Sequence, residues 1–162
     1  MSALFDKIET PCLRRLYAYW EERRQGRAFP ARRDLDPLDF RYALGHVVLL
    51  DVLRDPVRFR FRLHGSELTA RAGYDMTGKL VDELPNPKNR ALLIERCHML
   101  VETGQPVAVI DERLLGQRRF GYEAVWLPLA DDGEHIDMLM AGLVYRDSRA
   151  AGPLDWQPDS AA

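Results

Sequence analysis

Residues 58–63 read Arg-Phe-Arg-Phe-Arg-Leu. Cationic and apolar side chains alternate with a period of two, the spacing at which a strand sends successive side chains to opposite faces. So strict an alternation predicts a strand with one buried face and one solvated face. It also accounts for Arg58, Arg60 and Arg62 without any ligand. Just upstream, Val47 to Leu53 is a nearly continuous apolar run of strand length, and Arg54-Asp55-Pro56 reads as the turn between the two. Three more strands follow near the end of the chain, Pro106 to Leu115, Phe120 to Leu129 and Ile136 to Tyr145. Gly116-Gln117-Arg118-Arg119 marks a hairpin between the first two, and Asp132-Gly133 a tight turn before the third.

The helical signals lie between and before these strands. Thr10-Pro11 reads as a helix start, with Thr as N-cap and Pro at the first helical position. Leu13, Leu16, Tyr17 and Trp20 then recur at i, i+3, i+4 and i+7, one apolar stripe of an amphipathic helix that Gly26 ends. The stripe fits either packing on the chain's own core or a dimer interface. Asp36-Pro37 predicts a short helix over Leu38 to Leu44. Residues 67–84 hold short helical pieces punctuated by Gly73 and Gly78. Asn86-Pro87 opens the longest helix, with Leu93, Cys97, Leu100 and Val101 inward and Gly104 as its stop. Strands that run together, rather than alternating with helices, predict an α+β fold: a five-stranded antiparallel sheet with helices on one face and an N-terminal amphipathic helix. The domains read as a helical extension over 1–28, a core over 29–147 and a flexible tail over 148–162, in which Trp156 is an unusual residue.

Composition narrows the function. The chain has 162 residues, 46% of them hydrophobic and 30% charged, which suits one soluble globular domain. Of its basic residues 20 are Arg and three are Lys, but the acidic residues outnumber them and the net charge is −2. No nucleic-acid partner is therefore expected. No apolar run approaches the roughly 20 residues of a membrane span, and the N-terminus lacks the apolar region of a secretory signal. Cys12 and Cys97 stand far apart and form no C-x-x-C, as expected of reduced thiols in the cytoplasm. His46, His64, His98 and His135 lack zinc-site spacing, so no metal is expected. The carboxylates of Asp131-Asp132-Gly133 and Asp36-Pro37 are explained as turn and helix-start residues. Nothing brings Ser, His and Asp together, so no enzyme is expected.

Two stretches carry a resemblance. Residues 59–84 place Gly65, Leu68, Gly73, Tyr74, Gly78, Leu80, Val81 and Leu84 as the core of a PAS domain places its glycines and apolar positions. Trp126-Leu127-Pro128-Leu129-Ala130-Asp131-Asp132-Gly133 resembles the PAS strand and turn. Tyr17, Trp20 and the segment Phe29 to Pro37 are similar to those of small stand-alone bacterial PAS proteins, and the likeness covers roughly residues 10–147. It implies a cupped five-stranded sheet with short helices over its concave face and a pocket between them. The implied lining is Phe61, Leu63, Leu68, Tyr74, Cys97, Tyr122, Ala124 and Trp126, with Met138, Met140, Gly142 and Val144 on the last strand. Periodicity alone does not choose the face, because Val125, Leu127 and Leu129 are equally apolar. The physical reading of Gly65 agrees: it ends a strand and lets the chain turn sharply into helices, where a positive φ is expected.

The resemblance also weighs cofactors. Flavin-binding light sensors carry a reactive Cys after the glycine, whereas Lys79-Leu80-Val81 follows Gly78 here. Haem-binding relatives place a His on the long helix. His98 lies on that helix, but the inner stripe runs through Cys97, so His98 is expected to face outward or sideways. The cofactor stays unassigned. The function implied is a sensor or adaptor that binds a small apolar ligand, a protein partner or both, with no fused output domain. The partner would be another protein or a second copy docked through Leu13, Leu16, Tyr17 and Trp20. The alternative is an interaction module whose core is filled by its own side chains.

Overall fold

The structure, a computed structural model, describes residues 5–115 and 118–146, without the side chains of 113–115 and 118–120. The expected tail and Trp156 lie outside the described residues, as do Gly116-Gln117 and the side chains of Arg118 and Arg119. Helix α1 spans Pro11–Arg24, α2 Ser66–Ala72 and α3 Pro87–Thr103; the strands are β1 Val47–Leu53, β2 Arg58–His64, β3 Val107–Leu115, β4 Arg118–Leu129 and β5 Met138–Tyr145. The five strands form one antiparallel sheet in the order β2-β1-β5-β4-β3.

Local chemistry sets most of these boundaries. The Asn86 side chain accepts hydrogen bonds from the Lys88 and Asn89 N–H groups, 3.0 Å each, and so caps α3. Gly73 and Gly104 close α2 and α3 in the left-handed conformation, at φ 84° and 64°. The segment after Asp36-Pro37 does not form the expected helix. Its backbone bonds are the i to i+3 type (Ala43 N to Phe40 O, 2.9 Å; His46 N to Ala43 O, 2.8 Å), which close turns instead of an α-helix. Gly65 is required for a reason other than the expected one. Its φ is −54°, open to any residue. A Cβ there would collide with the backbone carbonyl of Gly45 and lie 2.9 Å from that of Val47.

Both faces of the sheet are buried. Helices α2 and α3 cover one face, over Leu50, Phe59, Phe61, Tyr122, Ala124, Trp126, Leu139 and Ala141. Helix α1 covers the other. Its Leu13, Leu16 and Trp20 are fully buried with Leu49, Val125, Leu127, Leu129, Met138 and Met140. Burying a Trp leaves its N–H in need of an acceptor, and Trp20 donates to the Pro128 carbonyl at 2.8 Å. The helix lies so close that a Cβ on Gly142 would stand 2.8 Å from methyl groups of Leu13 and Leu16. The stripe expected to form a dimer interface is therefore corrected: Leu13, Leu16 and Trp20 serve the chain's own core. Tyr17 is half-buried and stacks on Phe5 with centroids 4.1 Å apart. Among the described residues, no helix is long and apolar enough to cross a membrane.

Candidate functional site

A cavity of about 130 Å³ lies between the sheet and its α2–α3 cover. The sheet contributes Val48, Phe61, His64, Trp126, Leu143 and Tyr145. The cover contributes Leu68, Arg71 and Ala72 from α2, Tyr74 and Leu84 from the connection, and Asn89 and Leu93 from α3. Apolar and aromatic walls with a few polar groups are the usual make-up of a small-molecule site.

Four of the residues expected from the sequence meet here: Phe61, Leu68, Tyr74 and Trp126. Cys97 and Tyr122 are on the same side of the sheet but are packed into the core beside the cavity, fully buried. Met138 and Met140 are placed on the opposite face, under α1. The register gives the reason: Trp126 pairs with Ala141 and Ala124 with Leu143, so the odd residues of β5 share the face of Trp126. Gly142 likewise faces α1, and Val144 packs with the α1 cluster.

Leu63 is the other displaced residue. Leu49 pairs with Leu63 while Leu50 pairs with Phe61, so β2 carries one extra residue at Arg62. This β-bulge reverses the alternation. Leu63 packs with the α1 cluster, and His64 takes the place that strict alternation gives to its neighbour. On the solvated edge Arg60 and Arg62 both bond the Asp51 carboxylate, at 3.2 Å each.

Three polar groups define the cavity's chemistry. His64 Nδ1 lies 3.2 Å from the Met76 N–H and must accept it, which leaves the ring proton on Nε2. Burial pushes the pKa of this imidazole below its ordinary value, against the opposing pull of Asp75 at 3.9 Å. The Arg71 guanidinium lies over the Tyr145 ring, 4.1 Å from its centroid. Trp126 is 4% exposed, and among the described residues its Nε1–H has no acceptor. His98 is absent from the lining and meets Phe59 edge-on at 5.1 Å. The volume is close to the roughly 150 Å³ that accommodates benzene. Among the described residues no cluster of metal-ligating side chains occurs.

On the other face, directly after Tyr122, Glu123 is fully buried. Its carboxylate accepts the N–H groups of Glu9 and Thr10 at 2.9 and 2.8 Å, the Thr10 hydroxyl, and Arg146 at 2.7 Å. Burial opposes its ionisation, but these four donors overcome that and hold its pKa at about 2. Thr10 thus occupies the cap position of α1 with its carbonyl accepting the Leu13 and Arg14 N–H groups, but its side chain does not cap the helix; its hydroxyl goes to Glu123 instead.

Sequence reasoning missed His64, Arg71, Asn89 and Glu123. A lone carboxylate inside the apolar run of residues 122–130 was a legible signal. The others come together only in three dimensions.

A family model described as "PAS domain" matches residues 8–144. The chain is similar to the Rhodobacter sphaeroides LOV protein, at 13% identity over 72% of this chain and 71% of that one, with a TM-score of 0.47. It is also similar to VqmA bound to DPO, at 16% identity over 64% of this chain and 54% of that one, with a TM-score of 0.49. A third likeness is to the light-state dimer of the fungal blue-light photoreceptor Vivid, at 13% identity over 60% and 75% of the two chains, with a TM-score of 0.44. No curated protein matches the chain.

Proposed function

The chain belongs to the PAS domain family, and from that premise we propose that it is a sensor: it takes a small molecule into the cavity beneath α2 and α3 and passes the change to a protein partner. The observation that carries this reading is the cavity of about 130 Å³, with aromatic walls and the polar groups of His64, Arg71 and Trp126. A core filled by its own side chains would leave no such space, so the cavity favours ligand binding over a purely structural module. The reading is one of binding, with no catalytic role, by a protein working in the cytoplasm.

A route to the partner is built into β4. Tyr122 packs in the core beside the cavity, while Glu123, the next residue, faces the other way and holds the start of α1. A shift of β4 would reach both groups, and two packings of α1 could be biased by the cavity's content. Native mass spectrometry of the freshly purified full chain tests the reading. The expected result is a retained or added small molecule at one per chain. Bare chain only, with no compound in a screen of single-ring molecules binding, would overturn it. The same spectrum reports whether the partner is a second copy.

A further inference from the structure

We propose that the cavity selects an aromatic ring that carries a carbonyl or a similar hydrogen-bond acceptor, with the acceptor met by the Trp126 indole N–H and with His64 as a second donor across the cavity. The proposal deepens the sensor reading and rests on it. Size sets the first limit, since about 130 Å³ is close to the volume that accommodates benzene. Phe61, Tyr74 and Trp126 supply flat walls against which a ring stacks.

The sheet register places the two donors. His64 pairs with Val48, Val48 with Ala141 and Ala141 with Trp126, so all four stand on one rung that crosses the sheet. Three strand spacings of about 4.8 Å put the ends of that rung roughly 14 Å apart. The two residues between the ends are short, which leaves space above the sheet between Trp126 and His64. The bulge at Arg62 is what brings His64 to this face. The donors then set the chemistry. A buried N–H without an acceptor is rare and costly, and the Trp126 Nε1–H is one, in a residue only 4% exposed. His64 uses Nδ1 to accept the Met76 N–H, so its Nε2 donates. Arg71 is already engaged with the Tyr145 ring and plays no part in the selection. A hydrocarbon would leave the Trp126 N–H unpaired, and an amine would set donor against donor. A carbonyl oxygen, with two lone pairs and no proton, satisfies it.

The test titrates the full chain with three neutral single rings: acetophenone; α-methylstyrene, in which a methylene replaces the carbonyl oxygen; and aniline. The readout is the Trp126 indole N–H resonance, assigned by its nuclear Overhauser contacts to neighbouring side chains and by its loss in Trp126→Phe. Acetophenone is expected to move that resonance downfield, as a new hydrogen bond does, beyond any shift that α-methylstyrene or aniline causes through its ring alone. Trp126→Phe should weaken acetophenone about tenfold, the scale of one hydrogen bond to a buried donor, and the other two by less than about twofold. Comparing each ring between wild type and variant cancels its own hydration. The wild-type resonance needs no substitution, so it decides even if the variant fails to fold. The same shift with all three rings, or a larger one with aniline, would overturn the selection for an acceptor and leave the sensor reading standing. Binding of none would overturn both.

Discussion

A carboxylate removed from water is costly unless its oxygens are paired, and Glu123 meets that condition with four donors. Glu123→Gln turns one acceptor oxygen into a donor that faces donors, which should cost roughly 2–4 kcal/mol, read by urea unfolding at neutral pH. The pH dependence has a definite sign. The folded pKa of about 2 lies below the ordinary 4.5, so the stabilisation is complete above 4.5 and is lost as pH falls toward 2. The stability gap between wild type and Glu123→Gln should therefore close across that interval; a gap that persists at the acid end would remove Glu123 as its cause. Cys97 behaves in the opposite way. Burial pushes its thiol up to about 12. A thiol reagent at neutral pH should label it at the rate of unfolding and no faster.

At the level of elements, α1 and the joint between β2 and α2 make separate predictions. Leu16 is fully buried against the sheet, so Leu16→Glu should cost more than about 3 kcal/mol, by the same amount at every protein concentration. A loss that faded on concentrating the protein would restore the dimer role to the stripe. Gly65→Ala drives a methyl into a backbone carbonyl that cannot rotate away, and should cost several kcal/mol in thermal unfolding. Gly26→Ala meets nothing within 4 Å and strains only a φ of 81°, so about 1 kcal/mol is expected. The elements were largely legible from the sequence. Val47–Leu53 matches the apolar run residue for residue, and Asn86-Pro87 with Gly104 bounds α3. Such signals are local, because caps, turns and alternation act within a few residues. The segment after Asp36 was not legible, since a good helix start cannot tell an α-helix from successive tight turns.

For the whole molecule, a ligand that binds only the folded chain must stabilise it. At one hundred times its dissociation constant such a ligand should add about 2.7 kcal/mol, a shift of a few degrees in Tm. The sequence by itself determined the five strands, helices α1 and α3, the antiparallel character of the sheet and the family resemblance, because period, capping and turn chemistry are written in neighbouring residues. It could not choose faces. Both sides of β4 and β5 are apolar since α1 covers one and α2 with α3 cover the other, so Met138 and Leu139 look alike in the sequence. Only pairing register assigned them, through Trp126 opposite Ala141. Only the bulge at Arg62 turned Leu63 away and brought His64 to the cavity. The site depends on contacts between residues far apart in the chain, and these were decided when helices closed over both faces of one sheet.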